Sequence, residues 1–115
     1  MKFSNIAKIH SEFKPICATR SAQCAVMELK PGDTSDDELS NEHPHSEQWV
    51  YVLAGSGRAT VVSKKQTRRS VTLRPGTLLV IEKGERHQIR NTGRSKLRTL
   101  NTYCPPAYDS AGNLR

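Results

Sequence analysis

Residues 43–55 read HPHSEQWVYVLAG, and this stretch decides the fold. Its second half is rich in aromatic and β-branched residues, which favour a pleated, buried surface, so it predicts a β-strand from Gln48 to Leu53. Side chains alternate between the two faces of a strand, so His43 and His45 would share one face if the extended backbone reaches them. His87, from a distant segment, would then complete a metal site. The pattern predicts a metal-binding β-structure whose chemistry lies in its interior.

The rest of the chain has the pattern of short strands separated by turns. Proline–glycine pairs at 31–32 and 75–76 mark two of these turns, and the best helical candidate, residues 6–13, is weak. This spacing is typical of an all-β sandwich or barrel. We expect a single domain over residues 1–115, with a core barrel at about 20–104 and a tail at 105–115 that is mobile or docked on a neighbour. Strands are predicted at 24–29, 48–53, 58–62, 70–73, 78–81, 86–90 and 97–103.

Composition limits the functional classes. The longest apolar run is far too short to span a bilayer, and the first residues lack the apolar core of a signal peptide, so we expect a cytoplasmic protein without membrane contact. The cysteines Cys17, Cys24 and Cys104 fit no zinc-site spacing and are expected to be free thiols.

The formal net charge is +7, which admits anionic partners. The basic residues are scattered along the chain, and only residues 64–69 form a dense group, at an expected hairpin tip. The scatter argues against nucleic acid as a partner, and binding through this tip is the weaker alternative.

Two motifs resemble those of the cupin superfamily. The first has His-x-His, an acidic or amide ligand, six residues and a glycine; here His43-Pro44-His45 is followed by Gln48, six residues and Gly55. The second has glycine, five residues, Pro-x-Gly, two residues, histidine, three residues and asparagine. Here it begins at Gly76 and ends at Asn91, with His87 at the histidine position and Glu82 where proline is usual.

The chain therefore resembles a small, single-domain cupin of type 2. The resemblance implies an antiparallel jelly-roll β-barrel, a homodimer, and one divalent transition metal ion (Fe, Mn, Ni, Zn or Cu) held by His43, His45, Gln48 and His87. Gln48 stands where the family carries a carboxylate, and only two residues separate it from His45, where three or four are usual. Glu47 is therefore an alternative ligand, and it is the one nearby candidate for a catalytic base.

A neutral ligand shell leaves the ion its full charge, which favours anionic substrates. The leading hypothesis is a metal-dependent enzyme, of the isomerase, ring-opening or dioxygenase type, for a small anionic or sugar-derived molecule. The alternative is a binding or sensor module without catalysis, and a metal-free barrel is a further alternative. The sequence does not choose the substrate, the metal or the reaction.

Overall fold

A computed structural model describes residues 1–36 and 38–115, and in these residues the chain forms eight β-strands in two antiparallel sheets. Residue 37, part of the acidic loop 33–42, lies outside the described residues. The all-β prediction is confirmed, and the seven predicted strands are present with bounds shifted by two residues at most. The strands are β1 Phe13–Ala18, β2 Gln23–Leu29, β3 Glu47–Ala54, β4 Gly57–Val62, β5 Arg68–Leu73, β6 Leu78–Ile81, β7 Arg86–Asn91 and β8 Leu97–Cys104.

One sheet has the strand order β1-β2-β8-β3-β6, and the other has the order β5-β4-β7. Their facing sides enclose an apolar core to which both sheets contribute. Val50 and Val52 of β3 and Ile89 of β7 are fully buried in this core, whereas Trp49 and Tyr51 point outward, as the period of two predicts. The inward side of each strand is therefore fixed by the burial of its apolar residues.

β1 and the segment before it differ from the prediction. Residues 6–13 were expected to be weakly helical, but only Ile6–Lys8 form a 3-10 helix, and Phe13 already belongs to β1. β1 contains Pro15, which weakens the strand pattern in the sequence. Proline is tolerated here because β1 lies at the edge of its sheet, where not every amide has to pair.

The tail at 105–115 packs on its own barrel. Gln23 of β2 accepts hydrogen bonds at Oε1 from the backbone amides of Ala107 (3.2 Å) and Tyr108 (3.0 Å). Its Nε2 donates to the carbonyl of Tyr108 at 2.7 Å. These three bonds place the Tyr108 ring against the barrel, where it is buried. The tail therefore becomes part of the wall of the interior.

Gly55 closes the tight turn between β3 and β4. Its φ is +82°, and a Cβ at this position would lie 2.3 Å from the carbonyl oxygen of Lys96. Only glycine combines this backbone conformation with so close an approach. Of the helical segments in the described part of the chain, none has the length and apolar character that a membrane span requires.

Candidate functional site

The structure brings three of the four predicted ligands together. His43, Gln48 and His87 are buried and face the interior between the sheets. His45 is exposed instead. The segment from His43 to Ser46 is a turn, closed by a hydrogen bond of 3.0 Å from the Ser46 amide to the His43 carbonyl. In a turn, side chains two residues apart do not share a face, so the strand geometry assumed for the two histidines does not hold.

Glu47 also lies away from the interior. It is the first residue of β3, next to Gln48, and the alternation of the strand turns it to the outer face. There its carboxylate accepts a hydrogen bond from Nε1 of Trp49 at 2.5 Å. Of the two alternatives for the fourth ligand, the structure therefore places Gln48 in the interior and Glu47 on the outer face.

The ring of His43 is held between two oxygen atoms. Nδ1 lies 3.0 Å from the carbonyl oxygen of Ser46, and a carbonyl only accepts, so Nδ1 carries a proton. Nε2 of His43 lies 2.7 Å from Oε1 of Gln48. The amide nitrogen of Gln48 donates to Oδ1 of Asn101 at 2.8 Å. With the amide in this orientation, Nε2 of His43 and Oε1 of Gln48 are both acceptors unless Nε2 of His43 also carries a proton. A cation shared by the two atoms, or a flipped amide, resolves the contact equally well.

His87 and Glu42 form the other half of the cluster. The rings of His87 and His43 are 5.0 Å apart between centroids, and Nε2 of His87 lies 3.8 Å from Oε2 of Glu42. Nδ1 of His87 and Oε1 of Glu42 are buried without a hydrogen-bond partner among the described residues. An unpartnered buried polar group costs about 1–3 kcal/mol, so two together indicate a site that a ligand completes.

Burial sets the charge of this pair. It lowers the pKa of His87 to about 4, and the nearby ring of His43 lowers it further in the same direction. Burial also raises the pKa of Glu42 to about 7, and the neighbouring carboxylate of Asp36 adds to the rise. At neutral pH His87 is therefore an uncharged imidazole with a free lone pair, and Glu42 lies near the midpoint of its titration.

These side chains open into a cavity of about 530 Å³. Its aromatic wall is built from Phe13, Tyr103 and Tyr108; the ring centroid of Tyr108 is 4.8 Å from that of Phe13 and 5.0 Å from that of Tyr103. Burial raises the pKa of Tyr108 to about 12, so its phenol stays protonated as a hydrogen-bond donor. The charged groups in the wall are acidic: within the described ranges, the cavity is lined by Glu12 and Glu42 and by no lysine or arginine.

Two site residues are absent from the sequence-based prediction. Glu42 belongs to a polar loop without strand periodicity, and only its position next to His43 distinguishes it from the other acidic residues of that loop. Tyr108 follows Pro105-Pro106 in the tail, and its place depends on the hydrogen bonds to Gln23 far away in sequence. Neither side chain has a local signal that would show it facing the interior.

The residues present fit a metal ion in type. Two imidazoles and an amide oxygen converge, and the Nδ1 bond of His43 to a backbone carbonyl is the contact that orients many metal-binding histidines. No group of three or more His, Cys, Asp or Glu side chains with metal-binding geometry occurs in residues 1–36 and 38–115. A metal here would therefore depend on Gln48 as its third protein ligand.

The chain is similar to known proteins in sequence and in fold. A probable oxalate decarboxylase of Arthroderma benhamiae is 31% identical over 78 residues, which are 68% of this chain and 19% of that protein. The chain thus spans about a fifth of the length of this relative.

Among solved structures, the Bacillus halodurans protein BH2720 aligns with a TM-score of 0.80 and 21% identity, covering 95% of this chain and 80% of its own. Lactobacillus farciminis oxalate decarboxylase, solved as a formate complex, aligns with a TM-score of 0.70 and 27% identity. This alignment covers 78% of this chain and 26% of the decarboxylase chain. The sequence profile of the cupin domain matches residues 25–103, a range that contains His43, Gln48 and His87. Because this match covers more than half of the chain, the chain belongs to the cupin domain family.

Proposed function

We propose that this cupin is a metal-dependent enzyme that acts on a small, oxygen-rich organic molecule in the cavity. The observation that carries the proposal is the 2.7 Å contact between Nε2 of His43 and Oε1 of Gln48 beside the uncharged ring of His87. This contact turns an imidazole nitrogen and an amide oxygen, both of which coordinate metal ions, toward the same space. The unpartnered atoms of His87 and Glu42 border the same space.

His43, Gln48 and His87 would hold the ion, which the sequence leaves open among Fe, Mn, Ni, Zn and Cu. When bound, such an ion supplies Lewis-acid polarisation of substrate oxygens. Ser46 orients His43 through its carbonyl, and Asn101 orients Gln48 by accepting from its amide nitrogen. The carboxylate of Glu42, next to the cluster and inside the cavity wall, is placed to take or return a proton of the substrate.

The lining of the cavity narrows the substrate class. The sequence favoured an anionic or sugar-derived molecule, partly because of the net positive charge. Glu12 and Glu42 line the cavity, and no basic side chain of the described residues accompanies them. We therefore favour a hydroxylated, sugar-derived substrate over a free dianion such as oxalate. The carboxylate of Glu42 supports isomerisation or ring opening, which need a proton carrier, more than dioxygenation.

Metal analysis with matched histidine variants tests the proposal. The chain is expressed in medium containing each of the five metals, and bound metal is measured by mass spectrometry. We expect about one ion per chain in the unmodified protein and in His45→Ala, and at least a tenfold loss in His87→Ala. Because His45 is exposed and His87 is buried, the pair separates a specific site from adventitious binding. Equal metal content in both variants, or none in the unmodified chain, would overturn the proposal.

The alternative, a binding or sensor module without turnover, also has an observation in its favour. Gln48 and Asn101 form a hydrogen-bonded chain that continues from Nδ2 of Asn101 to Oγ1 of Thr99 at 3.0 Å. This chain satisfies the amide nitrogens of Gln48 and Asn101 without any ion. Screening of sugar acids, keto sugars and oxalate for both heat of binding and product formation distinguishes the two. Tight binding with no product for any compound would favour the module.

A second copy of the chain is the partner we propose for the outer face of the five-stranded sheet. Trp49 and Tyr51 of β3 pair with Val80 and Leu78 of β6, and all four are exposed. Contiguous exposed apolar groups of this kind usually mark an interface. The homodimer expected from the family resemblance would cover this apolar patch.

A further inference from the structure

The outer face of the three-stranded sheet gathers arginines that are far apart in the sequence. Arg58 of β4 lies opposite Arg90 of β7, and Val62 of β4 lies between Arg68 of β5 and Arg86 of β7. All four arginines are exposed. The scatter of basic residues along the chain argued against nucleic acid, but the strand register converts that scatter into one positively charged surface, the arginine face.

No carboxylate among the described residues forms an ion pair with an arginine of this face. The ion pairs in that part of the chain involve Glu28 or Glu42 instead. Arg86 donates to Oε1 of Gln66 at 3.0 Å, a neutral partner. Like charges directly opposite each other on neighbouring strands destabilise a sheet. A surface that keeps such a pair without a counter-charge is therefore suited to an anion from outside.

Hydroxyl and amide groups fill the space between the arginines. Thr60 lies opposite Ser70 on one side and Gln88 on the other, and Thr72 lies opposite Arg58. The amide of Gln88 already donates to the carbonyl of Asp36 at 2.7 Å, and the hydroxyl groups are of a type that commonly hydrogen-bonds to phosphate and sugar oxygens of nucleic acids. Val62 is the apolar residue in this set, and it is buried. The face is therefore basic and hydrogen-bonding, with no exposed apolar side chain at these ladder positions.

We propose that the arginine face binds the phosphate backbone of duplex nucleic acid without reading bases. The ladder positions carry no aromatic side chain on which an unpaired base would stack, which favours a duplex over a single strand. A membrane surface would call for apolar groups that insert between lipids, and a protein partner for an apolar centre; the face offers neither.

The acidic loop sets one boundary of the binding surface. Thr34 bridges to Arg90 and Ser40 bridges to His87, so the described parts of the loop on either side of residue 37 lie along the edge of β7. Its carboxylates repel phosphate on that side. The duplex therefore lies over all three strands, on the side of the basic hairpin tip at Lys64 and Lys65, and does not extend past β7.

Fluorescence anisotropy with a labelled 20-base-pair DNA duplex and the matching RNA duplex tests the proposal between about 50 and 200 mM salt. With four phosphate contacts, the logarithm of the binding constant should fall with the logarithm of salt at a slope of about −3.6. The double variant Arg58→Gln, Arg68→Gln removes two exposed charges, so the slope should change by about 1.8, and affinity at low salt should fall at least tenfold.

A charge-matched control, Lys14→Gln with Arg20→Gln, removes two exposed basic groups from β1 of the other sheet and from the turn that follows it. Its affinity should stay within about threefold of the unmodified chain, since only long-range attraction is lost. Equal losses in both double variants would overturn the proposal, as would the absence of duplex binding at 50 mM salt. Face-dependent binding to phosphatidylserine vesicles, without duplex binding, would show that the partner is a membrane instead. Retained duplex binding in His87→Ala would show that the face acts independently of the cavity.

Discussion

The two sheets are alike on their inner faces and opposite on their outer faces. Inside, both contribute apolar side chains to one core. Outside, the five-stranded sheet exposes the apolar patch around Trp49 and Leu78, and the three-stranded sheet exposes the arginine face. β3 of one sheet and β7 of the other show the same alternation of buried and exposed residues, so the difference between the outer faces does not come from the strand pattern. The residue types at the inner positions are constrained by packing in the core. Those at the outer positions are not, so they can differ according to what each sheet contacts.

Adjacent residues of β7 provide the strongest test of this comparison. Ile89 is an inner residue that is 1% exposed, and Arg90, next to it, is an exposed outer residue. Ile89→Ala should lower the free energy of unfolding by about 2–5 kcal/mol, because it leaves a cavity in the core. Arg90→Ala should change it by less than about 0.5 kcal/mol. Urea denaturation measures both, and similar losses would show that the outer position is also structural.

The next test concerns charge inside the barrel, and it uses the metal-free protein. The pKa of His87 falls from 6.5 to about 4 on folding, so its stabilising contribution is present above pH 6.5 and is lost as pH falls toward 4. The pKa of Glu42 rises from 4.5 to about 7, so its contribution is present below pH 4.5 and is lost as pH rises toward 7. Between pH 4.5 and 6.5 the two slopes have opposite signs and nearly cancel.

Glu42→Gln should remove the opposing contribution, so that the pH dependence of stability due to His87 becomes measurable. The free energy of unfolding should then rise by about 2 kcal/mol between pH 4.5 and 6.5, while that of the unmodified protein stays nearly flat. Glu12→Gln removes an exposed carboxylate of the same cavity and should leave the profile flat. Chemical denaturation at several pH values after chelation decides the matter. A flat profile in Glu42→Gln would contradict the opposed pair.

Removal of one large side chain from the apolar patch should weaken the association of two copies of the chain. Trp49→Ser should weaken self-association at least tenfold, about 1.4 kcal/mol, because aromatic side chains at the centre of interfaces carry much of the binding energy. Sedimentation velocity over a range of concentrations measures the effect. Thr60→Ala, on the outer face of the other sheet, is the control and should leave association unchanged. A chain that is monomeric before mutation would remove the patch from consideration.

The comparison of the two sheets also shows which features of the fold could be predicted from the sequence. The strands and their inner faces were predictable because burial imposes a period of two, as in β3 and β7. The arginine face could not be predicted, because it depends on which strands pair and in what register. That information is not contained in any local stretch of sequence. Arg58 and Arg90 have no relation in the sequence until β4 pairs with β7.

The site was predictable only in part, for a related reason. The motif spacing indicated His43, Gln48 and His87, which the structure brings together. It also indicated His45, which the turn at Pro44 directs outward, because the spacing alone does not distinguish a strand from a turn. Glu42 was missed because a loop residue has no periodicity to reveal which way it faces.

The smallest expected effect tests the repulsion on the arginine face itself. Arg90→Thr removes one of the two charges that face each other across β4 and β7, so it should raise the free energy of unfolding by about 0.2–0.5 kcal/mol at low salt. Screening shortens the reach of the repulsion to about 3 Å at 1 M salt, so this part of the gain should disappear there. Threonine also favours strands, and that contribution does not depend on salt. Lys14→Thr on β1, opposite Val26, carries the same preference without a facing charge and corrects for it. A gain at Arg90 that persists at 1 M salt after this correction would mean that the two guanidinium groups do not repel each other, and that the arginine face needs no anion to balance it.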